Sequence, residues 1–405
     1  RSGDGGGLTT RTADSGAAGT QALASPSVIP EDPSSDFSAV NLYNLPGATT
    51  WPITMISYFY IEKDLSGMDP ETAALLMAFV KMVLSEEGQS LAEDNMFVKL
   101  PQEVLAYNEA TLASITLPSG YAALSFELAS ETLVEVGAGA LVLSGKRREY
   151  GEWDRSRMES EIEALQTVTG VEMLHGAGTT NPSKLFWEIL GLVEARAKFP
   201  VHATYRAVGS STGQKEFLGA SNGNMALNHF GAGDIPMTAE RYAAVNASGR
   251  TMVHVPFAMG GIGVFHSAPV GGASVHLDAC VLAKIFATTI TMWNDAEIAA
   301  LNPDLTLPAV AIKVVHRVKG SSSTAGFTEY MEGACPAVWT LGTGSTIDWP
   351  TSTFEGQGSD GMSTFISENE GAIGYIDAGH GHEHGLSEIA LRNLDGVYLT
   401  TKTAD

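Results

Sequence analysis

The chain has 405 residues, 44% of them hydrophobic, enough to bury two or three compact lobes, and carries a formal net charge of −23. That acidity excludes nucleic acid and anionic membrane surfaces as partners. No uninterrupted apolar run reaches the roughly 18 residues that spanning a bilayer needs. Arg1 opens a Gly-rich stretch without a signal peptide, so the natural start is expected upstream.

Residues 1–36 are rich in Gly, Ala, Ser, Pro and Thr and read as irregular. TWPITMISYFYI (50–61) is β-rich and apolar, the pattern of a buried strand. DPETAALLMAFVKMVLSEEGQSLAEDN (69–95) predicts a helix capped by Asp69, with Pro70 at its first position and Leu75, Phe79, Met82 and Val83 on one face. Residues 119–168, which include KRREYGEWDRSRMESEIEAL, are expected to be a solvated connector. From residue 169 onward short strands alternate with helices, which predicts α/β architecture.

DGGGLTTRTAD (4–14) and DGVYLTTKTAD (395–405) agree at eight of eleven positions. The simplest reading is a chain slightly longer than one repeat of an array, cut at equivalent points. Cys280 and Cys335 are the only cysteines and read either as two buried thiols or as one disulfide of a secreted protein. Asn246-Ala247-Ser248 matches a glycosylation sequon, a triplet that also arises by chance.

Four small-polar clusters stand out in the second half: GAGTTNPSKLFWEIL (176–190), AVGSSTGQKEFL (207–218), HFGAGDIPM (229–237) and VVHRVKGSSSTAGFTEYM (314–331). Three of them place a Gly/Ser/Thr turn before a helical pattern. A helix start offers unpaired N–H groups and partial positive charge, so such turns can hold an anion. Hydroxyls add donors, and Arg317 can grip two oxygens at once. The same residues also serve as ordinary helix caps. Neither the P-loop pattern nor the dinucleotide fingerprint is satisfied.

The order and spacing of these clusters resemble the periplasmic phosphate-binding proteins of bacterial phosphate ABC transporters. LAKIFATTITMWNDAEIAALNPDL (282–305), LGTGSTIDWP (341–350) and GAIGYID (371–377) add to the likeness. TWPIT (50–54), the helix at 69–95 and LPQEV (100–104) resemble that family's C-terminal segment, so the likeness covers about 37–118 and 169–395. It implies a two-lobed, type II periplasmic-binding-protein-like α/β fold with a hinge, its segment order circularly permuted. The implied division is 1–48 as an irregular segment completing lobe 2, 49–118 as the C-terminal part of lobe 1, 119–168 as connector, 169–255 as the N-terminal part of lobe 1, and 256–405 as lobe 2.

By the same resemblance, Thr180 and Asn181 form the first binding loop, although an aromatic is usual where Asn181 stands. Ser210 is the second loop's binding serine, Asp234 the buried aspartate and Arg317 the binding arginine. Ser321, Ser322 and Ser323 form the last helix-start loop, where Gly and Thr are common at the latter two positions. The implied ligand is inorganic phosphate, bound without catalysis or cofactor, in a secreted, extracellular or periplasmic setting. A carboxylate at Asp234 would accept a hydrogen bond from a protonated phosphate oxygen and repel sulfate, which carries no proton at neutral pH.

The permuted order leaves two pairings open. Residues 37–118 either fold back on their own chain or pair with a neighbouring repeat in head-to-tail assembly. GHGHEHG (379–385) concentrates His380, His382 and His384, but alternate spacing suits a metal on a strand, and the strand is GAIGYID before it; no metal site is assigned. A hydrolase would need a base beside Ser210 or Ser321–Ser323, and none is evident in sequence. The rival reading is a structural or extracellular-matrix repeat whose phosphate pocket is vestigial or sensory.

Overall fold

In the computed structural model, residues 29–126, 172–198, 201–219 and 228–404 are described. The 4–14 copy of the terminal repeat and most of the 119–168 connector lie outside them.

The organising element is the strand β1 (Thr54–Glu62), which runs antiparallel to the fifteen-residue strand β5 (Met252–His266) along its whole length. Side chains alternate along a strand, and the apolar run 53–61 uses that alternation to serve three environments. Ile53 and Met55 enter one core, Phe59 and Ile61 a second, and Ile56, Tyr58 and Tyr60 a third on the opposite face. Ser57 falls between the first two. The ladder slips at Ser57/Tyr58, where Phe257 of β5 is the extra residue of a bulge.

Outside this pair lie β2 (Glu172–Gly178), β3 (Val201–Ala207) and β4 (Phe230–Gly233) on one side, and β7 (Lys313–Arg317), β8 (Phe354–Gly356) and β9 (Ala372–Asp377) on the other. The sheet runs β3-β2-β4-β1-β5-β9-β7-β8. The first four strands and the N-terminal half of β5 form lobe 1; the C-terminal half of β5 with β9, β7 and β8 forms lobe 2. Here residues 54–62 pair with β4 and β5.

Lobe 1 is covered by α1 (Pro70–Leu84) and α4 (Ser183–Arg196), whose Phe79 and Phe186 pack around Phe59. Asp69 caps α1 by accepting from the Thr72 N–H at 3.0 Å. The single helix expected over 69–95 is two, α1 and α2 (Glu86–Asp94), broken at Ser85. Ser85 has extended backbone, donates its hydroxyl to the Met82 carbonyl and accepts from the Gly88 N–H. Buried Gln89 then donates to the carbonyls of Val83 and Phe257, each at 3.0 Å, satisfying an acceptor that the break frees.

Lobe 2 is built on Trp293, Phe286, Phe327, Tyr330 and Tyr375. Cys280 and Cys335 are joined by a disulfide that ties α7 (Ala279–Phe286) to the end of α9 (Ser322–Ala334), their Cα atoms 5.2 Å apart.

The described part of residues 1–48, assigned from sequence to lobe 2, touches both lobes: Asn393 of lobe 2 donates to the carbonyls of Gly47 and Ala48. Ile29, Phe37, Val40, Leu42 and Leu45 pack on lobe 1, and Tyr43 alone of this group joins the lobe 2 core. Phe37 is fully buried and stacked on the neutral imidazole of His254 at 4.3 Å. Burial holds that imidazole's pKa down at about 3.

Candidate functional site

Residues at the carboxyl ends of β2, β3, β4, β7 and β9 line the meeting of the two lobes, the usual crevice of an open α/β sheet. At its centre is Asp234, directly after β4 and 2% exposed. Ser57 donates to its Oδ1 at 2.6 Å. Asn181 Nδ2 at 2.9 Å, Ser322 Oγ at 2.7 Å and the Thr179 hydroxyl all donate to Oδ2. The Asp234 N–H donates to Ser210 Oγ at 3.4 Å. Burial pushes the Asp234 carboxyl above its usual range, and the donors from Ser57, Thr179 and Ser322 pull against it.

Arg317 ends β7 and is 6% exposed. Its Nε and Nη1 have no hydrogen-bond partner among the described residues. Burial pulls its pKa down, while Tyr375, Asp377 and Asp234 are near enough to pull it back up. A buried guanidinium with two unused donors is costly unless an anion meets it. This residue is therefore the clearest sign of an anion site.

Two helix starts complete the cage. Gly209 precedes α5 (Ser210–Leu218) at φ +91°, a conformation that favours glycine. A Cβ there would stand 2.8 Å from the Gly320 carbonyl oxygen of lobe 2, so the two turns touch across the cleft. Ser321 caps α9 by accepting from the Ser323 N–H at 3.1 Å, and Ser323 Oγ is buried without a partner among the described residues.

Of the residues singled out from sequence, Asn181, Ser210, Asp234 and Ser322 form one connected hydrogen-bond network, with Arg317, Ser321 and Ser323 buried on the lobe 2 side. Thr180 stands beside this network. Its neighbour Thr179 meets Asp234, whereas the Thr180 hydroxyl lies 3.2 Å from Ser359 Oγ, across the cleft on α10 (Gly358–Glu368). Ser359 also donates to Asn181 Oδ1 at 3.3 Å.

Sequence reading missed Ser57, Thr179 and Ser359. Ser57 had a visible signal, since it is the one polar residue among positions 53, 55, 57, 59 and 61. Ser359 had none. His380 and His382 fall on the short helix α11 (Ala378–Glu383), as the sequence suggested, and face carboxylates: His380 Nδ1 lies 2.8 Å from Asp377, and His382 Nε2 lies 3.2 Å from Glu388. His384 caps that helix.

A two-lobed α/β protein with a polar cage between its lobes is the architecture of a type II periplasmic binding protein. The sequence model of the PBP superfamily domain matches residues 145–405, and the chain belongs to the PBP superfamily. Its curated relatives include the phosphate-binding protein PstS of Pasteurella multocida, 30% identical over 235 residues, covering 57% of this chain and 64% of that one. Phosphate-binding protein PstS 3 of Mycobacterium tuberculosis is 31% identical over 242 residues, covering 59% and 63%. The chain thus spans somewhat less than two thirds of the length of these relatives. A solved high-affinity periplasmic phosphate-binding protein, bound with phosphate, matches at 19% identity and a TM-score of 0.42, over 56% of this chain and 64% of that one, a looser likeness that adds nothing further. No helix among the described residues is long and apolar enough to cross a membrane.

Proposed function

We infer that this chain captures inorganic phosphate, or a similar tetrahedral oxyanion, between its lobes and does no chemistry on it. The observation that carries the reading is Arg317, buried with Nε and Nη1 unused among the described residues and facing the field of Asp234. Ser210, the Ser321–Ser323 turn and the start of α5 supply further donors, and Thr180, Asn181 and Ser359 close over them. Asp234 accepts from the protonated oxygen of phosphate and repels an unprotonated anion. The names of the curated relatives point the same way.

The unit is read as circularly permuted. Support comes from β1, which lies before the stretch that the family's sequence model matches and yet fills a central place in the sheet. The wider protein is read as an array of such units in a secreted or periplasmic setting, with neighbouring repeats as its partners. The repeated segment supports this. Its 395–405 copy closes lobe 2, where Tyr398 and Leu399 form an edge strand and Leu399 and Ala404 enter the core.

Calorimetry with phosphate, arsenate and sulfate tests the binding reading. Phosphate and arsenate should release or absorb heat, sulfate should not, and absence of any phosphate signal would leave the matrix-repeat alternative standing.

A further inference from the structure

The segment that ends the described chain is docked on lobe 2 by a small set of contacts. The strand β11 (Ala390–Arg392) pairs with β6 (His276–Leu277) on one side and with β12 (Tyr398–Leu399) on the other, so β12 is the outer strand of a three-stranded sheet. Gly396 turns the chain into β12 at φ +84°. Leu399 and Ala404 enter the lobe 2 core. Between them the Thr401 N–H donates to Glu388 Oε1 at 2.9 Å, and the Thr401 hydroxyl lies 2.8 Å from His382 Nε2. The Thr400 N–H donates to Thr403 Oγ1 at 2.8 Å, which closes the turn.

Residues 4–14 repeat this set of anchors. Gly5 and Leu8 stand for Gly396 and Leu399, Thr9, Thr10 and Thr12 for Thr400, Thr401 and Thr403, and Ala13 for Ala404. The differences are Gly6 for Val397, Gly7 for Tyr398 and Arg11 for Lys402. Val397 and Lys402 are exposed, and Tyr398 is half-buried. Every buried position of the docked segment is therefore kept, and the one side-chain contact the copy lacks is the stacking of Tyr398 on His276 at 4.4 Å.

We propose that residues 4–14 of one chain take the place of 395–405 in lobe 2 of a second copy, pairing with β11 as β12 does. This names the surface through which neighbouring units meet, and it rests on the repeat reading. The exchange is of like for like, the low-cost route to association that swapped segments provide. Donor and acceptor surfaces differ, so the copies join head to tail. The resident segment has two advantages. A short turn tethers it to β11, which gives it a high effective concentration, and it keeps the Tyr398–His276 stack. Exchange is therefore seen when that resident is weakened.

Sedimentation velocity of the whole chain tests the proposal. Leu399→Asp puts a charge into the lobe 2 core and drives the resident segment out. The variant should associate as its concentration rises, and Leu8→Asp added to it should return it to monomer. Association that ignores Leu8 is aggregation through the opened core and overturns the proposal, as does a folded Leu399→Asp variant that stays monomeric. The gentler Leu399→Ala serves where Leu399→Asp does not fold. A peptide spanning 1–16 should raise its melting temperature by mass action, and the Leu8→Asp peptide should not; no shift from the first peptide overturns the proposal. Either failure leaves the repeat itself in place. The array reading falls on a different result, a natural polypeptide only one unit long, which leaves exchange between separate chains standing.

Discussion

Ser322, at the start of α9 in lobe 2, donates its hydroxyl to Asp234, at the end of β4 in lobe 1, across 2.7 Å. One carboxylate thereby belongs both to the anion cage and to the contact that brings the lobes together. Its two oxygens are unequal. Oδ2 accepts from Thr179, Asn181 and Ser322, while Oδ1 accepts from Ser57 alone among the described residues, leaving a lone pair on Oδ1 for a protonated ligand oxygen.

Asp234→Asn keeps an acceptor for Thr179 and Ser322 but removes the charge. Sulfate affinity should then rise by at least about tenfold, or 1.4 kcal/mol, with a smaller effect on phosphate. Competition calorimetry measures both, and a variant that still rejects sulfate would sink the account of selectivity.

Arg317→Met should separate binding from stability. Losing a buried charged donor is expected to lower phosphate affinity by about 2–5 kcal/mol. The ligand-free protein should melt no earlier than the wild type, because the buried guanidinium has unpaired donors and an apolar side chain relieves that cost. Thermal unfolding in phosphate-free buffer, beside calorimetry, gives the two numbers. A strongly destabilised variant would make Arg317 a structural residue.

The Cys280–Cys335 disulfide closes a loop with a sequence separation of 55. Replacing both cysteines by alanine should cost about 4 kcal/mol in the chain-entropy account, seen as a lower urea midpoint. Phosphate affinity should change little, since Cys335 ends α9 at the opposite end from the Ser321–Ser323 turn.

His380 gives a pH signature. Burial and Lys184 lower its pKa, but the hydrogen bond and charge of Asp377, with Asp360, outweigh them and hold it above the ordinary value. A histidine whose folded pKa is raised contributes stability that is fully present below its unfolded pKa of about 6.5 and is lost as pH rises through the folded value. The melting temperature should therefore fall as pH rises above about 6.5, and His380→Gln should flatten that slope.

The strand at 54–62 and the helix beginning at Pro70 were legible because each follows from local pattern: alternation in an apolar run, and an Asp cap before proline. Much of the cage was legible for a similar reason, since Ser210, Ser321 and Arg317 lie where strands hand over to helices. What could not be read depended on partners far away in the chain. Ser359 meets Asn181 across 178 residues and Ser57 meets Asp234 across 177, distances at which no spacing rule applies. The break at Ser85 was hidden because the apolar face of 75–83 continues through Gln89 and Ala92, and what decides it is the fit of Gln89 against Phe257. The stacking of Phe37 on His254, which anchors part of 29–45 on lobe 1, is likewise a pairing composition cannot show.

The central place of β1 has a practical corollary for anyone dividing this protein into pieces. A fragment trimmed to 145–405, the span the superfamily's sequence model matches, would retain nearly every cage residue but lose Ser57 and the strand between β4 and β5. Two raw strand edges would then face one another across an empty slot, with Phe186, Phe230 and Phe257 laid open beside them. Such edges recruit other chains. The trimmed fragment is expected to come out as insoluble material, and adding back a peptide spanning 50–62 during refolding is the simplest way to recover it.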